Sequence, residues 1–220
     1  MTMNPDYQSA ATKALEILIE RKISKAPVDP LPIVKGTSGV IAMPFADLAN
    51  DAGMDRGKLI PMFGENQDAI TIHLDNSKVQ YVVAYNQYLP FDMIRRGLAR
   101  ELGHIVLGHT GSKLPTNVRM AEAMTFARHL LFPRPLIHAI QEAGIPFTVE
   151  VVGSITGCYE RCLTGLYKTP GVHTDPQLNR AVRDQFADCI ENFVAFQHLL
   201  SKTDGSKPAL FGSFMDLYEE

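Results

Sequence analysis

Two stretches of alternating apolar and polar residues, followed at once by an amphipathic helix, constrain the fold more than any other feature. Residues 69–74 and 79–85 each alternate in this way, with turn-forming residues between them. A period of two predicts strands with one apolar face, and the intervening turn predicts an antiparallel hairpin. From Phe91 to His109 the apolar residues recur at helical spacing. The pattern therefore predicts an antiparallel hairpin followed directly by an amphipathic helix.

The remainder of the chain reads mainly as helices. Apolar spacing and Pro or Gly stops predict a strand at 39–43 and helices at 8–23, 31–35, 45–52, 117–132, 136–143, 149–157, 158–166 and 176–200. The region after residue 140 is therefore predicted to be mostly helical.

Composition excludes several classes of protein. The net charge is −3 and 45% of the residues are hydrophobic, which is typical of a folded domain. No apolar run approaches the ~20 residues that span a bilayer, so we expect a soluble protein without a membrane partner. No basic excess favours direct binding of nucleic acid. Cys158, Cys162 and Cys189 cannot all pair within the chain, and reduced thiols indicate a cytoplasmic protein.

The chemistry-bearing segment is Glu-Leu-Gly-His at Glu101–His104. Zinc hydrolase helices usually read His-Glu-x-x-His, because histidines four residues apart share one helix face and the glutamate can take a proton from metal-bound water. Glu101 and His104 occupy two of these positions, whereas Arg100 stands at the first histidine position. A guanidinium is always charged and has no lone pair to donate, so Arg100 cannot be a zinc ligand.

The surroundings of this helix resemble one family. The strand ending at Asn86, the helix 94–109, the segment Glu122-Ala-Met-Thr-Phe-Ala127 and the apolar run ending at Pro133 are similar to the ImmA/IrrE family of metallopeptidase-like proteins. The resemblance covers about residues 8–165 and is most specific over 81–133. It implies a zincin-like α+β domain, in which a small antiparallel sheet packs on the helix that carries Glu101 and His104. It also implies that Glu122 is the third metal ligand. It also implies a peptidase or regulator, often encoded on a mobile element or phage, that switches off a DNA-binding repressor.

The resemblance suggests a division of the chain near residue 140. We expect residues 1–140 to form the metallopeptidase-like domain and residues 141–220 to form a helical region. Within that region we expect a helix-turn-helix-like segment at 148–166, a long helix at 176–200 and a tail at 201–220.

Three arrangements of the site remain open. In the first, Arg100 replaces the metal as an internal cation and pairs with Glu101 and Glu122, so that no cofactor is needed. In the second, Arg100 points to solvent. In the third, zinc still binds to His104 and Glu122, with His109 as a substitute ligand. His109 follows His104 by five residues, about 140° around a helix, so it reaches the site only if the helix ends before it.

The sequence leaves three functions open. The missing histidine favours a degenerate pseudo-peptidase that binds a protein partner, such as a DNA-binding repressor, through the old substrate cleft. The alternative is an active zinc-dependent endopeptidase with an altered ligand set, in which Glu101 is the general base and a repressor is the substrate. The second alternative is a DNA-associated regulator that uses the C-terminal helices.

Overall fold

Nine helices and three short strands make up the part of the chain that the computed structural model describes, residues 4–53, 55, 67–75, 78–157 and 172–202. The strands are β1 (Val40–Pro44), β2 (Ala69–His73) and β3 (Tyr81–Tyr85). The helices are α1 (Tyr7–Glu20), α2 (Pro30–Lys35), α3 (Phe45–Asp51), α4 (Phe91–Val106), α5 (Thr116–Leu131), α6 (Arg134–Glu142), α7 (Val149–Thr156), α8 (Pro176–Gln185) and α9 (Ala187–Lys202).

The three strands form one sheet in the order β1-β3-β2. β2 and β3 are the predicted antiparallel hairpin, with Ala69 opposite Tyr85. β1 pairs with β3 in parallel, so the predicted antiparallel pairing holds for the hairpin while the sheet as a whole is mixed. The connection from β1 to β2 includes α3 and returns the chain to the same end of the sheet, as parallel pairing requires. The α+β class is confirmed.

Helix α4 lies between the sheet and α5, and two glycines allow the close approach on its two sides. A Cβ atom at Gly97 would lie 2.9 Å from Cγ of Asp68, next to β2. A Cβ atom at Gly103 would lie 3.0 Å from the ring of Phe126 and 3.1 Å from the carbonyl of Ala123 on α5. Helix α5 packs in turn against α1. The glycines therefore set how closely α4 approaches both of its neighbours.

One buried hydrophobic cluster connects these elements. It includes Leu15 of α1, Leu98 of α4, Phe126 of α5, Ile155 of α7 and the fully buried Phe186 that follows α8. Residues after position 140 thus contribute to the same core as α4, the helix that carries Glu101 and His104. No helix in the described ranges is long and apolar enough to cross a membrane.

Several predicted helix ends differ from the structure, among them the ends of the predicted helices 8–23, 91–109 and 176–200. Helix α4 ends at Val106 rather than at His109, because Gly108 takes a left-handed conformation with φ of 65° that terminates the helix. The predicted long helix 176–200 is divided at Phe186, whose φ of −94° and ψ of 9° separate α8 from α9. The predicted helix 158–166, with Cys158 and Cys162, and the tail from residue 203 lie outside the described residues.

Candidate functional site

Arg100 lies in a cluster of charged side chains where α4 meets the start of β2. Its Nη1 donates to Oδ1 of Asp68 at 2.8 Å. Its Nε and Nη2 donate to Oε1 of Glu101 at 2.9 and 2.7 Å, and Nη2 also donates to the carbonyl of Ala69 at 2.8 Å. Only 12% of the Arg100 side chain is exposed, so the guanidinium faces inward rather than solvent.

The two carboxylates that receive Arg100 are themselves nearly buried. Asp68 is 3% exposed and also accepts from Arg96 at 3.0 Å, while Glu101 is 8% exposed and accepts from the hydroxyl of Thr71 at 2.7 Å. Two cations therefore face two carboxylates. Burial lowers the pKa of Arg100, but the charges of Glu101 and Asp68 outweigh it, so the net pKa lies above its usual value.

Glu122 lies in a second cluster and does not receive Arg100. Its Oε2 is 2.9 Å from Nε2 of His109, and its Oε1 accepts the backbone N–H of Asp6 at 2.7 Å. The predicted pairing of Arg100 with Glu122 is therefore wrong. The physical reason is the position of α4, because Arg100 points from it toward β2 whereas Glu122 lies on α5, which packs on another side.

The turn at Gly108 brings His109 back toward the site helix. The backbone N–H of His109 donates to the carbonyl of His104, and the Nδ1 atoms of the two rings are 2.9 Å apart. Burial, followed by the charges of His109, Arg100 and Arg119, lowers the pKa of His104 to about 4, so His104 is neutral at pH 7. A carboxylate only accepts hydrogen bonds, so Nε2 of His109 is the donor to Glu122. Of the two Nδ1 atoms, only one carries a proton, which it donates to the other.

As they stand, these side chains do not fit a three-ligand zinc site. Arg100 has no lone pair, the Nδ1 atoms of His104 and His109 face each other, and both oxygens of Glu122 are engaged in hydrogen bonds. Within the described ranges no group of three or more His, Cys, Asp or Glu side chains is arranged to hold a metal ion. The sequence predicted a single site, whereas the structure places Arg100 with Glu101 in one cluster and His104, His109 and Glu122 in another.

Sequence reasoning missed Asp68 and Thr71. Asp68 precedes Arg100 by 32 residues, and no spacing rule links a residue just before a strand to one helical position. Thr71 carried a weak signal, because it is a polar residue within the apolar hairpin, and such a residue can face a charged partner. Asp6 carried none, because its contribution is a backbone N–H.

Comparison with known proteins finds one family that matches part of the chain. Residues 63–152 match the family described as IrrE N-terminal-like domain. No curated protein and no solved structure matches the chain. The matched segment contains the hairpin, α4, α5 and α6, and therefore both side-chain clusters apart from the Asp6 backbone. The match supports the assignment of residues 63–152 of this chain to the ImmA/IrrE family.

Proposed function

We propose that this chain is a degenerate ImmA/IrrE-type protein that binds a protein partner through the former substrate cleft instead of cleaving it. The observation that carries the proposal is the guanidinium of Arg100, buried and bonded to Glu101 at the position of the motif's first histidine. The partner class, a DNA-binding repressor, comes from the resemblance. The protein would act in the cytoplasm without a cofactor.

Arg100 opposes metal-dependent hydrolysis in two ways. It puts a permanent positive charge at the first ligand position, one helical turn from His104, and loss of one ligand from three weakens a zinc affinity of ~10–16 kcal/mol by several kcal/mol. It also occupies Glu101, whose Oε1 accepts two N–H groups from Arg100 while Oε2 accepts the hydroxyl of Thr71. Both oxygens of Glu101 are therefore engaged by donors of the chain itself and are not free to accept a proton from a water molecule.

Zinc analysis of the purified protein tests the proposal. After equilibration with zinc and dialysis, the wild-type chain should hold far less than one zinc per chain, and Arg100→His should hold about one, because an imidazole replaces the cation beside His104. Arg100→Gln is the matched control, because it removes the charge but adds no strong ligand, and it should stay nearly zinc-free. About one zinc per wild-type chain would contradict the proposal.

The second candidate is a zinc endopeptidase with an altered ligand set, and one observation favours it. The turn at Gly108 places His109 beside both His104 and Glu122. Two imidazoles and a carboxylate are the donor types that zinc prefers, although their mutual hydrogen bonds would have to open. This candidate predicts stoichiometric zinc in the wild type that is lost in His109→Ala, whereas the first candidate predicts no zinc in either.

A DNA-associated regulator remains a third, weaker proposal. Of the predicted helix-turn-helix-like segment, the described part contains only α7 and the residues beside it. The net charge of −3 adds no electrostatic support. A duplex gel shift at low salt would test this proposal directly.

A further inference from the structure

We infer that Asp68, Glu101 and the Ala69 carbonyl form a guanidinium-binding site in their own right, which this chain fills with its own Arg100. The inference rests on the proposed function and deepens it, because it says what holds the cation that replaces the motif's first histidine. It makes the site selective for a planar, forked cation rather than for positive charge in general.

The acceptors surround all three nitrogens of the guanidinium. Glu101 accepts from Nε and Nη2 on one edge, Ala69 accepts from Nη2, and Asp68 accepts from Nη1, all at 2.7–2.9 Å. A guanidinium carries five N–H donors in a rigid plane, whereas an ammonium concentrates three donors at one point. The arrangement therefore matches the shape of the group as well as its charge.

These acceptors are held by contacts that do not involve Arg100. Asp68 accepts the N–H of Ala69 at 2.9 Å and is paired with Arg96, while Glu101 is held by Thr71. The absent side chain of Gly97 leaves the space that Asp68 occupies, since a Cβ there would lie 2.9 Å from its Cγ. The site is thus organised before the guanidinium enters it.

The register of the hairpin explains why the Ala69 carbonyl points away from β3, where it accepts from Arg100 and also from Nε2 of Gln67 at 2.6 Å. The N–H of Asn86 donates to the carbonyl of Asp68, and the N–H of Leu74 donates to the carbonyl of Gln80, so the even-numbered residues of this segment bond to β3. Ala69 therefore directs its backbone groups away from β3. Because β2 is an edge strand, its carbonyl faces the site instead of another strand.

Chemical rescue of Arg100→Ala tests the inference. This variant leaves two buried carboxylates with Arg96 as their remaining cation in the cluster, so free guanidinium should refill the site. In 20 mM guanidinium chloride, a concentration too low to denature appreciably, we expect Tm to rise by about 4 °C. A chain of this size shows such a shift when the ligand concentration is about twenty times its Kd. Equal concentrations of sodium chloride and of urea, which has the same planar shape without charge, should give no rise.

The matched control is Arg96→Ala. Arg96 contacts Asp68 through one carboxylate oxygen, and 34% of its side chain is exposed, so its removal leaves no enclosed site and guanidinium should not raise Tm. Adding Asp68→Asn to Arg100→Ala should abolish the rescue. A rise with urea or sodium chloride, an equal rise in Arg96→Ala, or rescue that survives Asp68→Asn would overturn the inference.

A folding assay decides the case if Arg100→Ala is unfolded in buffer. Recovery of helical circular dichroism on dilution from urea into 20 mM guanidinium, but not into sodium chloride, would support the site, and failure in both would overturn it. The two proposals fail separately. Stoichiometric zinc in the wild type contradicts the proposed function, whereas absence of rescue in a zinc-free protein contradicts the guanidinium site alone.

Discussion

His129 on α5 is a buried titratable group that lies outside both site clusters. Its side chain is 2% exposed, and its Nδ1 is 2.9 Å from the carbonyl of Thr125, to which it donates. Its Nε2 has no hydrogen-bond partner within the described part of the chain. Burial lowers the pKa of His129 to about 4, the Thr125 bond opposes this, and the charges of Arg134 and Arg128 add to it.

We predict that His129→Gln makes stability less sensitive to acid. The native pKa lies below the ordinary value of 6.5, so the unfolded state binds more protons, and stability falls as pH drops from 6.5 toward 4. His129 should account for about 2 kcal/mol of the free energy of unfolding lost between pH 7 and pH 5. Glutamine keeps an amide donor but does not titrate, so this loss should shrink by that amount in urea unfolding at the two pH values.

A matched variant separates this effect from a general change in charge. His198 on α9 is exposed, so its environment is similar in the folded and unfolded chain. His198→Gln should therefore lose as much stability as the wild type between pH 7 and pH 5. An undiminished loss in His129→Gln would show that His129 is already protonated or solvated in the folded protein.

Helix α4 determines the geometry of both clusters, because it carries Arg100 and Glu101 toward β2 and His104 toward the turn that presents His109. We predict that Gly103→Ala destabilises the protein by ~1–3 kcal/mol in urea unfolding. Alanine favours a helix by ~1 kcal/mol, but its Cβ would lie 3.0 Å from the Phe126 ring and force α4 away from α5.

The turn glycine gives the comparison for this prediction. Gly108 has φ of 65°, and a Cβ there would have no atom within 4 Å, so only backbone conformation opposes substitution. Asparagine tolerates this conformation, and Gly108→Asn should change stability less than Gly103→Ala. A Gly103→Ala variant as stable as the wild type would mean that α4 and α5 can separate without cost.

The sequence predicted most helices and strands well, because the spacing of apolar residues that identifies them involves only neighbouring positions. The hairpin and most helices follow from periods of two and 3.6, and the adjacent Arg100 and Glu101 fell within one motif. The partner of Arg100 could not be predicted, because which side of α4 faces β2 and which faces α5 depends on packing between distant segments. The sequence offered Glu122 as an acceptor for Arg100 and gave no sign of Asp68, whereas the three-dimensional arrangement places Asp68 at Arg100 and Glu122 at His109.

At the scale of the whole molecule, Arg95 joins three regions that are far apart in sequence. Its side chain is 1% exposed. Its Nε and Nη2 donate to the carbonyl of Val28, between α1 and α2, at 3.0 and 2.6 Å. Its Nη1 donates to the carbonyls of Thr156 and Gly157, at the end of α7, at 2.9 and 3.1 Å. A cation is favourable there, because the C-terminus of a helix carries partial negative charge.

We predict that Arg95→Met lowers the free energy of unfolding by at least ~3 kcal/mol, since three carbonyls would lose a buried donor at roughly 1–3 kcal/mol each. The matched control is Arg183→Met, which removes the same group from the half-exposed pair with Glu142 and should cost no more than ~1 kcal/mol. Urea unfolding compares the two variants directly. Equal losses of stability in the two variants would mean that Arg95 does not hold α7 and the segment after α1 against α4. A larger loss of stability in Arg95→Met than in Arg183→Met would indicate that the core around α4 unfolds as one cooperative unit. Residues beyond 140 would then stabilise the same helix that carries Arg100.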